Sequence, residues 1–225
     1  MALTFHYHPL SSYCWKVLIA LYEAGAPFEA EVVNFGDPEA RAAYAALWPT
    51  AKIPLLVDGE RVVPETSIQI EYLDRHYPGP TPLLPVDPET QLEARLWDRL
   101  FDNYVMTSMQ AFTNDRLRAE KDRDPLSVEQ ARATLLMAYG MIERRMQGRT
   151  WVAGETFSLA DCAAMPSLFY ASTVVPIPED HPALRAYLQR LVERPSAARA
   201  LEGAMPWFKY YPYKELLPDR FRPAD

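Results

Sequence analysis

Five prolines fall within the twelve residues YPGPTPLLPVDP, positions 77 to 88. No regular helix passes through such a stretch, because each proline removes an N–H donor and fixes φ. The segment therefore divides the chain and stiffens the connection between its two parts. The parts differ in period. In the first, Leu3, Phe5 and Tyr7 alternate as in a strand, then Val17, Leu18 and Leu21 recur as on a helix face. A second strand is expected over Phe28 to Val33, after the stop at Gly25, followed by a helix from Asp37 towards Leu47. Leu55 to Val57 and Arg61 to Val63 flank Asp58-Gly59, a tight-hairpin dipeptide, and a last helix is expected over Thr66 to His76. This order predicts a small α/β unit that begins with a parallel β-α-β.

Beyond the prolines the strand signals vanish. Leu92, Leu96, Leu100 and Tyr104 stack at four-residue spacing, and Ala131, Leu135, Tyr139 and Ile142 do much the same, which predicts two long helices packed together. Ser158-Leu-Ala-Asp161 has the pattern of an N-cap with an acidic residue three places on, ahead of an apolar helix from Cys162 to Tyr170. Shorter helices near 182–193 and 196–203 lead to the aromatic tail WFKYYPY. The expected division is an α/β domain over 1–78, a proline-rich linker over 79–88 and an all-α domain over 89–225.

Charge and composition narrow the partners. With 30 acidic against 23 basic residues and a net charge of -7, the chain lacks the basic surface that nucleic-acid phosphates require. It shows neither a secretory leader nor an apolar run long enough to span a bilayer. Its two cysteines, Cys14 and Cys162, are too far apart in sequence to suggest a disulfide framework, so a reducing cytoplasm is expected.

Three segments carry possible chemistry. In HPLSSYCWKV (8–17) a strand end meets a helix start, where free N–H groups and the helix dipole favour an anion such as a thiolate; Ser11 or Ser12 there either caps the helix or donates to a sulfur. In KIPLLV (52–57) a proline precedes a strand. A cis bond at that point would turn the Ile53 backbone outward towards an extended ligand. In PETS (64–67) a carboxylate and a hydroxyl stand at a strand-to-helix junction, ready either to cap or to meet a ligand's ammonium and carboxylate. His6 and His8 share one strand face but have no third partner in view, so no metal site is expected.

The joint order of these segments carries a resemblance. SSYCWKV resembles the glutaredoxin-type C-P-Y-C-x-K-V with serine in place of the first cysteine, IP and ETSIQIEYLD complete the pattern of a thioredoxin-like glutathione domain, and FSLADCAA is similar to a capping-box helix of the same family. From end to end the chain resembles a cytosolic glutathione S-transferase, closest to the serine-type, zeta- and theta-like pattern. The resemblance implies a thioredoxin-like domain followed by a helical bundle, glutathione as co-substrate and no metal. It implies that Ser11 stabilises the thiolate and conjugates it to a small electrophile, with Ser12 and Cys14 as alternative reactive positions. Lys52, Ile53, Pro54 (cis), Glu65 and Thr66 would bind glutathione, and Tyr104, Met109, Phe112 and Arg116 would form a hydrophobic substrate site. A homodimer is implied, pairing the glutathione domain of one chain with the helical domain of the other. Tyr13 stands where the zeta class carries a cysteine, which counts against its maleylacetoacetate isomerase activity. Two other outcomes are open: a glutathione-dependent isomerase or a thiol-disulfide reductase using Cys14, and a non-catalytic scaffold on the same fold.

Overall fold

The computed structural model describes residues 3–222. In its first part run β1 (Leu3–Tyr7), α1 (Ser12–Ala24), β2 (Phe28–Val32), α2 (Pro38–Leu47), β3 (Leu55–Asp58), β4 (Arg61–Val63) and α3 (Thr66–His76). The sheet order is β2-β1-β3-β4, with β1 parallel to β2 and the other pairs antiparallel. This is the thioredoxin-like mixed sheet. Local chemistry accounts for the boundaries. Gly25, at φ 64, ends α1 in the left-handed conformation that glycine adopts without penalty. Asp37 caps α2 by accepting from the Glu39 N–H at 2.9 Å, and Asp58 pairs with Arg61 across the two-residue turn at Gly59.

In the second part α4 (Pro88–Leu100) continues through a π-helical turn (Phe101–Met106) into α5 (Thr107–Leu117), followed by α6 (Pro125–Met146), α7 (Leu159–Val174), α8 (Pro182–Glu193) and α9 (Pro195–Ala204). Helix α7 is buried on almost every side, as its all-round apolar sequence requires. Its start is the expected capping box: the Asp161 carboxylate accepts from the Ser158 N–H and hydroxyl, each at 2.9 Å, and also from the Val152 N–H and the Tyr187 phenol. Burial pushes the Asp161 carboxyl up to about 6.

The two parts share one apolar core. Trp15 of α1 lies against Tyr170 and Phe169 of α7, with ring centroids 4.9 and 5.4 Å apart. The Arg194 guanidinium donates twice to Glu23 at 2.7 Å. The connection is docked rather than free. A Cβ on Gly79 would stand 2.7 Å from the Ala24 Cα, so only glycine allows this approach, and the Leu83 carbonyl accepts from the Leu159 N–H at 2.8 Å. No helix among the described residues is long and apolar enough to cross a membrane.

One expectation about the helices needs correction. The stripe Leu92, Leu96, Leu100, Tyr104 is not a core stripe: Leu92 and Leu96 are each 62% exposed and Tyr104 is 48% exposed, while Leu100 alone is buried. The face turned inward carries Ala94, Trp97, Phe101, Val105 and Met109. Four-residue spacing marks an apolar face but does not say what that face meets.

Candidate functional site

The first turn of α1 brings Ser11 to the wall of a cleft of about 580 Å³ between the two parts of the chain. Ser11 is the N-cap residue, and its Oγ accepts from the Cys14 N–H at 3.3 Å. A hydroxyl has two acceptor lone pairs and one donor. Capping consumes a lone pair and leaves the Ser11 proton free to be donated to a ligand. Ser12 and Cys14 face the other way: both are buried and neither lines the cleft. The Cys14 sulfur accepts from the His8 N–H at 3.4 Å, and burial pushes its thiol up to about 12, the setting of an inert packing residue.

Across the cleft stand Lys52, Ile53, Pro54, Glu65 and Thr66. The Ile53–Pro54 bond is cis, and the Pro54 carbonyl accepts from the buried Gln69 amide at 2.9 Å. The backbone of Ile53 makes no hydrogen bond with another described residue, which leaves a donor and an acceptor for an extended ligand. Tyr44 donates to the Lys52 carbonyl at 2.8 Å and so fixes the loop from α2. Glu65 has φ 65 and ψ 117, a strained conformation for a residue with a Cβ, and although it holds the N-cap position of α3 its side chain makes no capping hydrogen bond. Strain without capping leaves the carboxylate available to a ligand.

The third wall comes from α4, the π-helical turn and α5, and it is polar throughout: Arg99, Asp102, Asn103, Thr107 and Gln110. Beneath it the buried Lys16 ammonium lies 2.6 Å from Asp98 and 2.8 Å from Asp102. Arg99 contacts both carboxylates, and Ser67 donates to Asp98 at 2.7 Å. Two cations balance two anions, so the cluster ties α1, α3 and α4 together without net charge. Burial raises the Asp102 carboxyl, against the pull of Lys16.

The residues expected to form a hydrophobic substrate site lie elsewhere. Met109 and Phe112 are 4% and 3% exposed and belong to the core, Tyr104 faces outward, and Arg116 pairs with Glu215 over the Tyr213 ring. In the aromatic tail Phe208 packs on Trp15 of α1 and Phe169 of α7 and Tyr211 on Tyr170 of α7, while Tyr213 donates to the Phe112 carbonyl of α5 at 3.0 Å, and none of the tail lines the cleft. Tyr13, Asn103, Thr107 and Gln110 are cleft residues that the sequence reading did not assign. The i, i+4, i+8, i+11 spacing of the polar residues 99, 103, 107 and 110 is the signal that could have found all of them but Tyr13.

Residues 5–81 match the family described as Glutathione S-transferase, N-terminal domain, and residues 100–195 match Glutathione S-transferase, C-terminal domain. A Glutathione S-transferase of Pseudomonas putida F1 is 30% identical over 215 residues, 92% of this chain and 96% of that protein. The chain belongs to the glutathione S-transferase family. FtsZ-localized protein A of Caulobacter vibrioides is 32% identical over 204 residues, 85% of this chain and 87% of that one. A glutathione S-transferase of Methylobacterium radiotolerans, solved in complex with glutathione sulfonate, superposes with a TM-score of 0.77 at 28% identity, over 89% of this chain and 94% of that one.

Proposed function

We propose that this family member is a glutathione transferase in which the Ser11 hydroxyl donates to the glutathione thiolate. What carries the reading is a single cleft that gathers Ser11, Lys52, the Ile53–Pro54 turn, Glu65 and Thr66 while leaving Cys14 in the core. Ile53 pairs with the cysteinyl backbone of glutathione, Glu65 and Thr66 take its γ-glutamyl group, and Lys52 takes its glycyl carboxylate. A free thiol titrates near 8.5. A hydrogen bond made only to the thiolate contributes about 1.5–3 kcal/mol, or roughly one to two pKa units, which ionises much of the bound thiol at neutral pH without a general base. The sulfur then attacks an electrophilic carbon held against the polar wall.

We further propose a homodimer in the cytoplasm. The Glu71–Arg95 ion pair joins α3 to α4, and these helices present Ile68, Leu92 and Leu96 to solvent, an apolar surface suited to a second copy. A second reading, a scaffold without turnover, is kept by the similarity to FtsZ-localized protein A. Retention on immobilised glutathione together with turnover of 1-chloro-2,4-dinitrobenzene or an enone supports the transferase. Retention without turnover of any electrophile supports the scaffold, and loss of retention removes the transferase.

A further inference from the structure

Ser11 reaches the cleft on the turn His8-Pro9-Leu10-Ser11, which joins β1 to α1. The Ser11 N–H donates to the His8 carbonyl at 3.0 Å, with proline at the second position, where its fixed φ suits such a turn. The Leu10 N–H donates to the His8 Nδ1 at 3.2 Å, and the His8 N–H donates to the Cys14 sulfur at 3.4 Å. Every hydrogen bond made by an N–H of the turn thus involves His8. On the other side the Trp15 indole donates to the Pro9 carbonyl at 2.5 Å. The imidazole is half-buried, and the Trp207 ring of the tail stands nearly edge-on to it, with centroids 5.2 Å apart.

A ring nitrogen that accepts carries no proton, so the contact with the Leu10 N–H fixes His8 as the neutral tautomer protonated at Nε2. We infer that His8 is a positioning residue for Ser11: as the neutral imidazole it holds the turn that presents the Ser11 hydroxyl to the thiolate, and a proton taken up from solvent at Nδ1 releases that turn. This rests on the transferase reading above and adds acid control to it. With Nδ1 protonated, two N–H donors would face each other at hydrogen-bonding distance, so either the ring leaves Trp207 or the Leu10-Ser11 peptide moves. No neighbour favours the imidazolium, since burial alone acts on His8 and lowers its pKa. His6, on the same strand, differs: its Nδ1 lies 3.1 Å from Glu31, which favours the charged form. The titratable groups on the elements packed against His8 are Cys14 of α1, whose thiol is pushed up to about 12, and in the tail Tyr210, which packs on Trp207 with Lys209 over its ring. No carboxylate is among them.

The test is calorimetric binding of glutathione sulfonate against pH to the whole protein and to its His8→Asn and His6→Asn variants. The probe carries a fixed anion in place of the thiol, and its own groups keep their charge between about pH 5 and about pH 7. Asparagine at position 8 offers an oxygen to the N–H two residues on, as in an Asx turn, but does not titrate. Affinity for the parent and for His6→Asn is expected to fall about fivefold from pH 7 to pH 5, and affinity for His8→Asn to stay level. By linkage, glutathione sulfonate should lower the pH at which the His8 imidazole titrates in the parent by about 0.7 or more, read from its ring C–H resonances by NMR. That second measurement needs no variant and decides the matter even if His8→Asn does not fold. A parent affinity that is level with pH, a fall that persists in His8→Asn, or a His8 titration unmoved by the probe would overturn the inference and leave the transferase reading intact. Failure of glutathione sulfonate and of glutathione to bind at any pH would remove the transferase reading itself and the inference with it.

Discussion

At the scale of single residues the site depends on two side chains whose local roles can be separated from their ligand roles. Ser11 caps α1 through a lone pair and keeps its proton free. Ser11→Ala should therefore cost about 1 kcal/mol of stability, whereas Ser11→Gly should cost only a few tenths, since glycine is tolerated as an N-cap. Urea melts measure the difference, and both variants should lose neutral-pH conjugation equally; a Ser11→Gly protein that conjugates normally would reduce Ser11 to a cap. Glu65 is held at φ 65 with no capping bond. Glu65→Gly should raise stability by about 1 kcal/mol by relieving strain and weaken glutathione binding by about 1.5–3 kcal/mol by removing a charged partner. Unchanged affinity in calorimetry would sink the γ-glutamyl assignment. The residue types at these positions were legible in the sequence, because serine and glutamate at element junctions have few roles. Their conformations were not, since the strain at Glu65 is imposed by the fold around it.

At the scale of elements, the junction of α1, α3 and α4 depends on Lys16, which faces two carboxylates in a buried cluster. Lys16→Met should cost about 3–5 kcal/mol by leaving those charges uncompensated. Adding Asp102→Asn should recover part of the loss, and a double variant no more stable than the single would contradict the coupling. The start of α7 makes a pH prediction. The Asp161 carboxyl is raised from 3.8 to about 6 in the fold, so the folded protein holds this proton more tightly than the unfolded chain does. The resulting stabilisation is fully present below about pH 4 and is lost as pH rises through about 6. The stability advantage of the parent over Asp161→Asn should therefore shrink by about 3 kcal/mol between pH 4 and pH 7, and a gap independent of pH would contradict it. Elements with strong end signals were legible: α3 and α8 have the expected bounds, and the Asp58-Gly59 hairpin is one residue longer than expected. The α4–α5 run was not. Its π-helical turn, where the Thr107 N–H and hydroxyl both reach the Asp102 carbonyl, shifts the helical phase, so Met109 and Phe112 turn inward while Thr107 and Gln110 line the cleft.

At the scale of the whole molecule, the proline-rich segment lies between α3 and α4, and residues of the three short motifs line one cleft. Periodicity does not tell an apolar face that meets the core from one that does not, so a stripe that predicts packed helices still leaves Leu92 and Leu96 exposed. If they pair two copies, light scattering should give twice the 25.7 kDa chain mass, and Leu92→Glu with Leu96→Glu should give the single-chain mass with the fold retained. A single-chain mass for the parent would contradict the dimer. The account as a whole turns on whether Ser11 ionises bound glutathione. The most direct measurement is the ultraviolet thiolate absorbance of the glutathione complex against pH for the parent, Ser11→Ala and Cys14→Ala. The account predicts that the parent and Cys14→Ala titrate together, below the value near 8.5 of a free thiol, and that Ser11→Ala titrates about one to two units higher. Coincident curves for the parent and Ser11→Ala would contradict it.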